Sequence, residues 1–251
     1  IRKIFQTRSE KVIPYITAGY PRKEDTVSMI LTAESAGAAM VELGIPFSDP
    51  LADGPVIQTS NQVAIENGVN VSWILDTVCE IRKKSEIPIA LMGYINPIIK
   101  YGLSHFTETC KDVGVDGLII PDLPPEEAEP FVLQSKKNGI SPILLVAPNT
   151  PNARIQEISK LASDLIYCVA ILGITGGICA ADDKLKSYLN RVENNSTCPY
   201  VVGFGISERS DVININKMAH GAVVGSSLIR EIGKSDDPVE SVKLYINRLT
   251  S

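Results

Sequence analysis

With 251 residues, 44% of them hydrophobic and 21% charged, the chain has ordinary globular composition and enough length for one large core. A formal charge of −5 and a pI near 5.2 argue against nucleic acid or an anionic membrane as partner, so an anionic ligand would need local backbone donors. No run has the length of a transmembrane helix, no basic start precedes an apolar signal core, and the five cysteines (Cys79, Cys110, Cys168, Cys179, Cys198) are scattered without a CxxC pair, the usage of a reduced cytoplasmic protein without metal or thiol chemistry.

The sequence opens on Ile1, so a few residues are expected to precede it. The first apolar run, Ile13-Pro14-Tyr15-Ile16, opens with a proline, which the first residue of a strand tolerates. Val27, Ile30 and Leu31 then share a helical face, and Ala36-Gly37-Ala38 reads as a left-handed helix stop before a second strand at 40–43. A helix carried by Ile74, Leu75, Val78 and Ile81 leads to the proline-opened strand Ile87-Pro88-Ile89-Ala90. Val113-Gly114-Val115 precedes a strand at 118–120, and Ser141-Pro142-Ile143-Leu144 is the next. Further strands follow at 165–169, Cys198-Pro199-Tyr200-Val201 and 222–224, the last after Ala219-His220-Gly221. Val242, Tyr245, Ile246 and Leu249 form a closing helical face.

Near-continuous apolar strands mean that both sheet faces are buried, and eight of them alternating with helices predict an α/β fold, a single (β/α)8 TIM barrel over residues 1–251. A doubly wound sheet would need a GxGxxG turn after the first strand, where Thr17-Ala18-Gly19-Tyr20-Pro21 stands instead.

Ligands of this fold sit at the carboxyl ends of the strands, with phosphate after strands seven and eight. Those ends read Gly203-Phe204-Gly205-Ile206-Ser207 and Gly225-Ser226-Ser227, where glycine lets backbone N–H groups approach an anion at a helix N-terminus. Gly173-Ile174-Thr175-Gly176-Gly177 after strand six reads as a loop able to close over the same anion. Any one of these clusters alone is a turn; three at adjacent strand ends predict phosphate binding.

Strand two contains Glu42 in an apolar setting, where an unpaired buried ion costs several kcal/mol. Either it is paired structurally, or it faces the barrel mouth with a raised pKa and does acid–base work; no arginine or lysine in the neighbouring runs offers to pair it. The following loop, Phe47-Ser48-Asp49-Pro50-Leu51-Ala52-Asp53-Gly54-Pro55, brings two more carboxylates and is expected to be held only by its prolines. Asp49 reads as an ordinary solvated aspartate, and Asp53 as one folded back over the strand end. No lysine stands at a strand end for Schiff-base chemistry, and His105 and His220 read as structural.

The stretch from Glu42 to Pro55 closely resembles the signature of the tryptophan synthase α subunit family, as do Pro14-Tyr15-Ile16-Thr17-Ala18-Gly19, Met92-Gly93-Tyr94-Ile95-Asn96-Pro97 and Pro121-Asp122-Leu123-Pro124. The likeness continues through Gly173-Ile174-Thr175-Gly176, Gly203-Phe204-Gly205 and Gly225-Ser226 and covers essentially the whole chain. It implies cofactor-free cleavage of indole-3-glycerol phosphate to indole and glyceraldehyde 3-phosphate, with indole passed to a pyridoxal-phosphate-containing β subunit in an α2β2 complex. It also implies that Glu42 is the general acid–base residue and that Asp53 receives or stabilises the indole N–H as positive charge develops. Tyr94 and Tyr167 fall at site positions, Tyr15 and Met92 wall the indole, and Thr175, Gly176, Gly205, Gly225 and Ser226 belong to the phosphate side. Asp49 and Pro50 fall in the loop shown to the β subunit. The resemblance leaves open a free-standing lyase and an inactive barrel kept to activate a β subunit; intact Glu42 and Asp53 argue against the latter, and Asp49-Pro50 favours the α subunit over the former. Gly177 departs from the family, where alanine or serine is common, and is expected to loosen its loop.

Overall fold

The computed structural model of the chain describes residues 1–162, 164–170, 183–203 and 205–251. Eight parallel strands follow one another around a closed barrel: β1 Val12–Thr17, β2 Val41–Gly44, β3 Ile89–Met92, β4 Gly117–Ile119, β5 Ser141–Val146, β6 Ile166–Val169, β7 Tyr200–Gly203 and β8 Ala222–Val224. β8 closes on β1 with Val12 opposite Ala222 and Pro14 opposite Val224.

The predicted strands are present, with shifted starts. β3 and β7 begin one residue after Pro88 and Pro199, whereas Pro14 and Pro142 lie inside β1 and β5. Of the three glycine stops, Gly37 and Gly114 have φ of +97° and +90°, the left-handed conformation that ends a helix at no Cβ penalty. Gly221 does not; its helix, Arg209–Met218, ends in an extended Ala219. There the glycine serves packing, because a Cβ would sit 3.1 Å from Ile13, Phe5 and Val201 together.

One apolar cluster takes a side chain from every strand or its lead-in: Ile13, Met40, Ala90, Ile119, Ile143, Leu165, Tyr167, Val201 and Val223, with Phe5 joining from the short helix Arg2–Phe5. Since each strand contributes, this is the barrel interior. A second, larger cluster joins the outward faces of the strands to the helices. Its members include Ile74, Leu75, Val78 and Ile81 on Val71–Arg82 and Val242, Tyr245, Ile246 and Leu249 on Pro238–Thr250, the faces that helical spacing predicts. The closing helix Pro238–Thr250 is tied to the end of the helix Asp25–Ser35 where Thr250 Oγ1 donates to the Ala36 carbonyl at 3.0 Å. No helix among the described residues is long and apolar enough to cross a membrane.

Candidate active site

Strand alternation aims the site. Side chains two apart share a face, so with Ile13, Met40, Ala90 and Leu165 inside the barrel, Tyr15, Glu42, Met92 and Tyr167 also point inward, one layer nearer the carboxyl ends. The register sets Tyr15 beside Glu42 and Glu42 beside Ala90. One layer further, Gly44 and Gly203 leave room for the phenols. A Cβ on Gly44 would lie 2.6 Å from Tyr15 Cζ, and one on Gly203 2.5 Å from Tyr167 Cζ. Burial pushes both phenols up, so they remain neutral.

Glu42 is 1% exposed and its Oε2 has no hydrogen-bond partner among the described residues. Burial first, and the charge of Asp53 second, push its carboxyl up to about 8. It is therefore a neutral acid at neutral pH, close enough to its working range to exchange a proton.

Asp53 ends the β2 loop, just before Gly54 and the helix Pro55–Glu66. The loop is more firmly held than its prolines alone would make it. The Asp53 N–H donates to the Pro50 carbonyl at 3.0 Å, Gln58 Nε2 to the Asp53 carbonyl at 2.9 Å, and the Ala52 N–H to Tyr94 Oη at 3.0 Å. Tyr94 is itself fixed: its ring stacks on Phe47 with centroids 5.2 Å apart, and the next N–H, that of Ile95, donates to Asp122 Oδ1 at 3.0 Å. Burial holds the Asp53 carboxyl above its ordinary value, and hydrogen bonds from Tyr94 and Asn61 offset part of that rise. Asn61 Nδ2 stands 3.4 Å from Asp53 Oδ2. The two carboxylates thus differ in kind: Asp53 has donors and Glu42 Oε2 has none. Asp49 lies exposed in the loop, with Ser48 Oγ 2.5 Å from its carboxylate, while Pro50 is buried and Leu51 is 94% exposed at the tip.

Across the mouth, β8 runs through Gly225 directly into the helix Ser226–Lys234. That helix has neither a side-chain cap nor an acidic residue in its first turn, so its leading N–H groups carry uncompensated positive character. At Gly225 the nearest atom to an added Cβ is Tyr15 Cβ at 3.6 Å, so packing does not demand glycine there. Gly205 differs: its φ of +74° asks for glycine on backbone grounds alone. Ser227 Oγ donates to the Ile206 carbonyl at 2.8 Å and accepts from Tyr245 Oη at 2.6 Å, tying the β7 and β8 ends together. Thr175 and Gly176, with Gly177 and Cys179, lie outside the described residues.

Sequence reasoning passed over Asn61 and the packing role of Gly44. For Asn61 a signal existed, since Ile57, Asn61 and Ala64 share the buried stripe of one helix and only Asn61 is an amide. His105 stacks on Tyr101 at 5.0 Å, and His220 Nδ1 accepts the Tyr200 N–H at 3.3 Å, both away from these carboxylates.

The comparisons with known proteins agree with one another. A family model described as tryptophan synthase alpha chain matches residues 1–249. The tryptophan synthase alpha chain of Petrotoga mobilis is 44% identical over 250 residues, covering 100% of this chain and 96% of that one, and the alpha chain of a Roseiflexus species is 44% identical over 222 residues, covering 88% and 85%. Among solved structures, the Legionella pneumophila tryptophan synthase subunit alpha superposes with a TM-score of 0.91 at 35% identity, covering 98% of this chain and 94% of that one. A chain of the Pyrococcus furiosus tryptophan synthase complex gives 0.89 at 36% identity, covering 96% and 97%. A closed eight-stranded barrel with paired carboxylates at its mouth, matched by kin along its full length, leads to one conclusion: the chain belongs to the tryptophan synthase alpha chain family.

Proposed function

We propose that the chain is the α subunit of a tryptophan synthase and cleaves indole-3-glycerol phosphate to indole and glyceraldehyde 3-phosphate. The observation that carries this reading is the pairing of a buried, neutral Glu42 with a hydrogen-bonded Asp53, at a barrel mouth whose β8 end opens a helix N-terminus that suits phosphate. Glu42 gives its proton to indole C3 while Asp53 balances the positive charge that develops at the indole N–H. The carboxylate left on Glu42 then takes the proton of the adjacent glycerol hydroxyl; the carbon–carbon bond breaks, the hydroxyl carbon becomes the aldehyde, and indole leaves.

Tyr15, Met92, Tyr94 and Tyr167 wall the indole, and the backbone donors of Gly205, Gly225 and Ser226 hold the phosphate with help from Thr175 and Gly176. The whole chain, 1–251, acts as one catalytic unit, supported by barrel closure of β8 on β1 and by the bond from the closing helix to Ala36. A β subunit receives the indole in an α2β2 complex, a reading supported by the Pyrococcus furiosus relative, whose structure is described as a tryptophan synthase a2b2 complex. The exposed Leu51 beside Asp49 suits a contact with that partner. The unpaired thiols of Cys79, Cys110, Cys168 and Cys198 suit the cytoplasm.

The test is indole release from indole-3-glycerol phosphate by the purified chain, with and without a β subunit. We expect release in both, and a gain of about one to two powers of ten with the partner, the size of a typical allosteric coupling. No release in either condition would refute the catalytic reading; a maximal rate without partner, with no co-sedimentation, would replace the α subunit by a free-standing lyase.

A further inference from the structure

The helix Pro55–Glu66 lays Ile57, Ser60, Asn61 and Ala64 against the barrel. Such a stripe is normally apolar. Ser60 is accounted for, since its hydroxyl bonds the Ile57 carbonyl at 2.9 Å and meets Thr17 Oγ1 at 2.7 Å. Asn61 has no comparable structural excuse. It is 2% exposed, its Oδ1 lacks any partner among the described residues, and its Nδ2 reaches toward Asp53. A buried amide with an unpaired oxygen costs stability that leucine, of similar size, would not. The cost falls where a carboxylate has to be aimed.

The bonds of Ala52, Gln58 and the Asp53 N–H fix the main chain around Asp53 and leave its carboxylate free to rotate. Two side chains act on the carboxylate itself, Tyr94 and Asn61. We propose that Asn61 is a positioning residue for the cleavage reaction: its amide turns the Asp53 carboxylate into the mouth and keeps the negative charge there rather than on Glu42. This rests on the α-subunit reading above. Two like charges sharing a pocket do not both ionise readily, and the donors decide which one does. The titratable groups that face Asp53 are Glu42 from β2, Tyr15 from β1, Tyr94 after β3 and Tyr167 from β6; the phenols are neutral, which leaves Glu42 as the competitor.

The experiment measures kcat and KM for indole-3-glycerol phosphate from pH 5 to 9 in the wild type, Asn61→Leu, Asn61→Ala and Asn61→Gln, each checked for folding by circular dichroism. Loss of the donor in Asn61→Leu should lower kcat on the order of 10- to 100-fold with KM within about twofold, and move the acid limb of the profile up by about half to one pH unit. Asn61→Ala, which removes the donor without adding charge or bulk, should move the limb the same way and decides the matter if the leucine variant fails to fold. Asn61→Gln keeps an amide and should hold the limb at the wild-type position even if slower. Acid limbs that superimpose for Leu, Ala and wild type, or a loss confined to KM, would overturn the proposal. If Asp53→Asn abolishes turnover while the Asn61→Leu profile stays unmoved, the positioning role falls and the α-subunit reading stands. A wild-type chain that releases no indole overturns both.

Discussion

Replacing Glu42 by glutamine should stabilise the fold progressively as pH rises while destroying activity. The carboxyl moves from 4.5 in the unfolded chain to about 8 in the folded one, chiefly because it is buried. Its folded value is raised, so the stability it allows is complete below about pH 4.5. Above that the unfolded chain ionises while the folded chain holds the proton, and stability is lost as pH climbs toward 8. At 1.36 kcal/mol per pH unit the cost is about 1 kcal/mol at pH 5 and about 4 kcal/mol at pH 8. Glutamine does not titrate, so the stability difference between the variants should grow by about 3 kcal/mol across that window, or roughly 6–12 °C in Tm for a chain of this size. Urea unfolding at pH 5, 6, 7 and 8 measures it, and the slope is insensitive to how well the amide packs. Turnover should fall on the order of 10²–10⁴-fold because the exchangeable proton is gone. A difference that stays flat from pH 5 to 8 would mean that Glu42 is ionised in the folded state, and the acid–base argument would fail with it.

Asp53→Asn should also abolish most turnover, since an amide cannot balance charge at the indole nitrogen, whereas Asp49→Asn, on the exposed part of the loop, should leave the isolated chain's rate unchanged; equal losses in a stopped indole assay would erase the division between them. Gly225→Val should weaken phosphate-bearing ligands and spare indole, because a Cβ at that position meets no close neighbour; calorimetric titration with glycerol 3-phosphate and with indole reads the two separately, and equal loss of both would point to a folding defect. Gly205→Val is the poorer probe, as its φ of +74° adds strain to any side chain. Gly44→Ala should cost about 1–3 kcal/mol by driving a methyl into Tyr15, and Tyr15→Leu added to it should return stability without returning activity; an unchanged denaturation midpoint for the single variant would show that the phenol is not held against the Gly44 Cα.

Much of this molecule is written locally. The strands declared themselves as short apolar runs, and the helices of Ile74 to Ile81 and Val242 to Leu249 by spacing, because secondary structure answers to neighbours two, three and four residues away. Gly37 and Gly114 marked helix ends because a positive φ is a property of one residue. Glu42 stood out in the sequence because a charge in an apolar strand is anomalous wherever it is folded. What the closed barrel alone decided are relations between distant residues. Tyr15 filling the space over Gly44, Tyr167 over Gly203, Tyr94 bracing Ala52 and Asn61 reaching Asp53 all depend on register and on where helices dock, and no periodicity records them. Gly221 shows the same division: its place before a strand suggested a turn, but three side chains converging from the N-terminal helix, β1 and β7 demand the missing Cβ. The loop from Phe47 to Pro55 was expected to hang on its prolines, and is instead fastened by donors and acceptors brought from the residues after β3 and from the following helix. Even the proton on Glu42 belongs to the tertiary structure, since the sequence names the carboxyl but only barrel closure removes its water and sets a second carboxylate beside it.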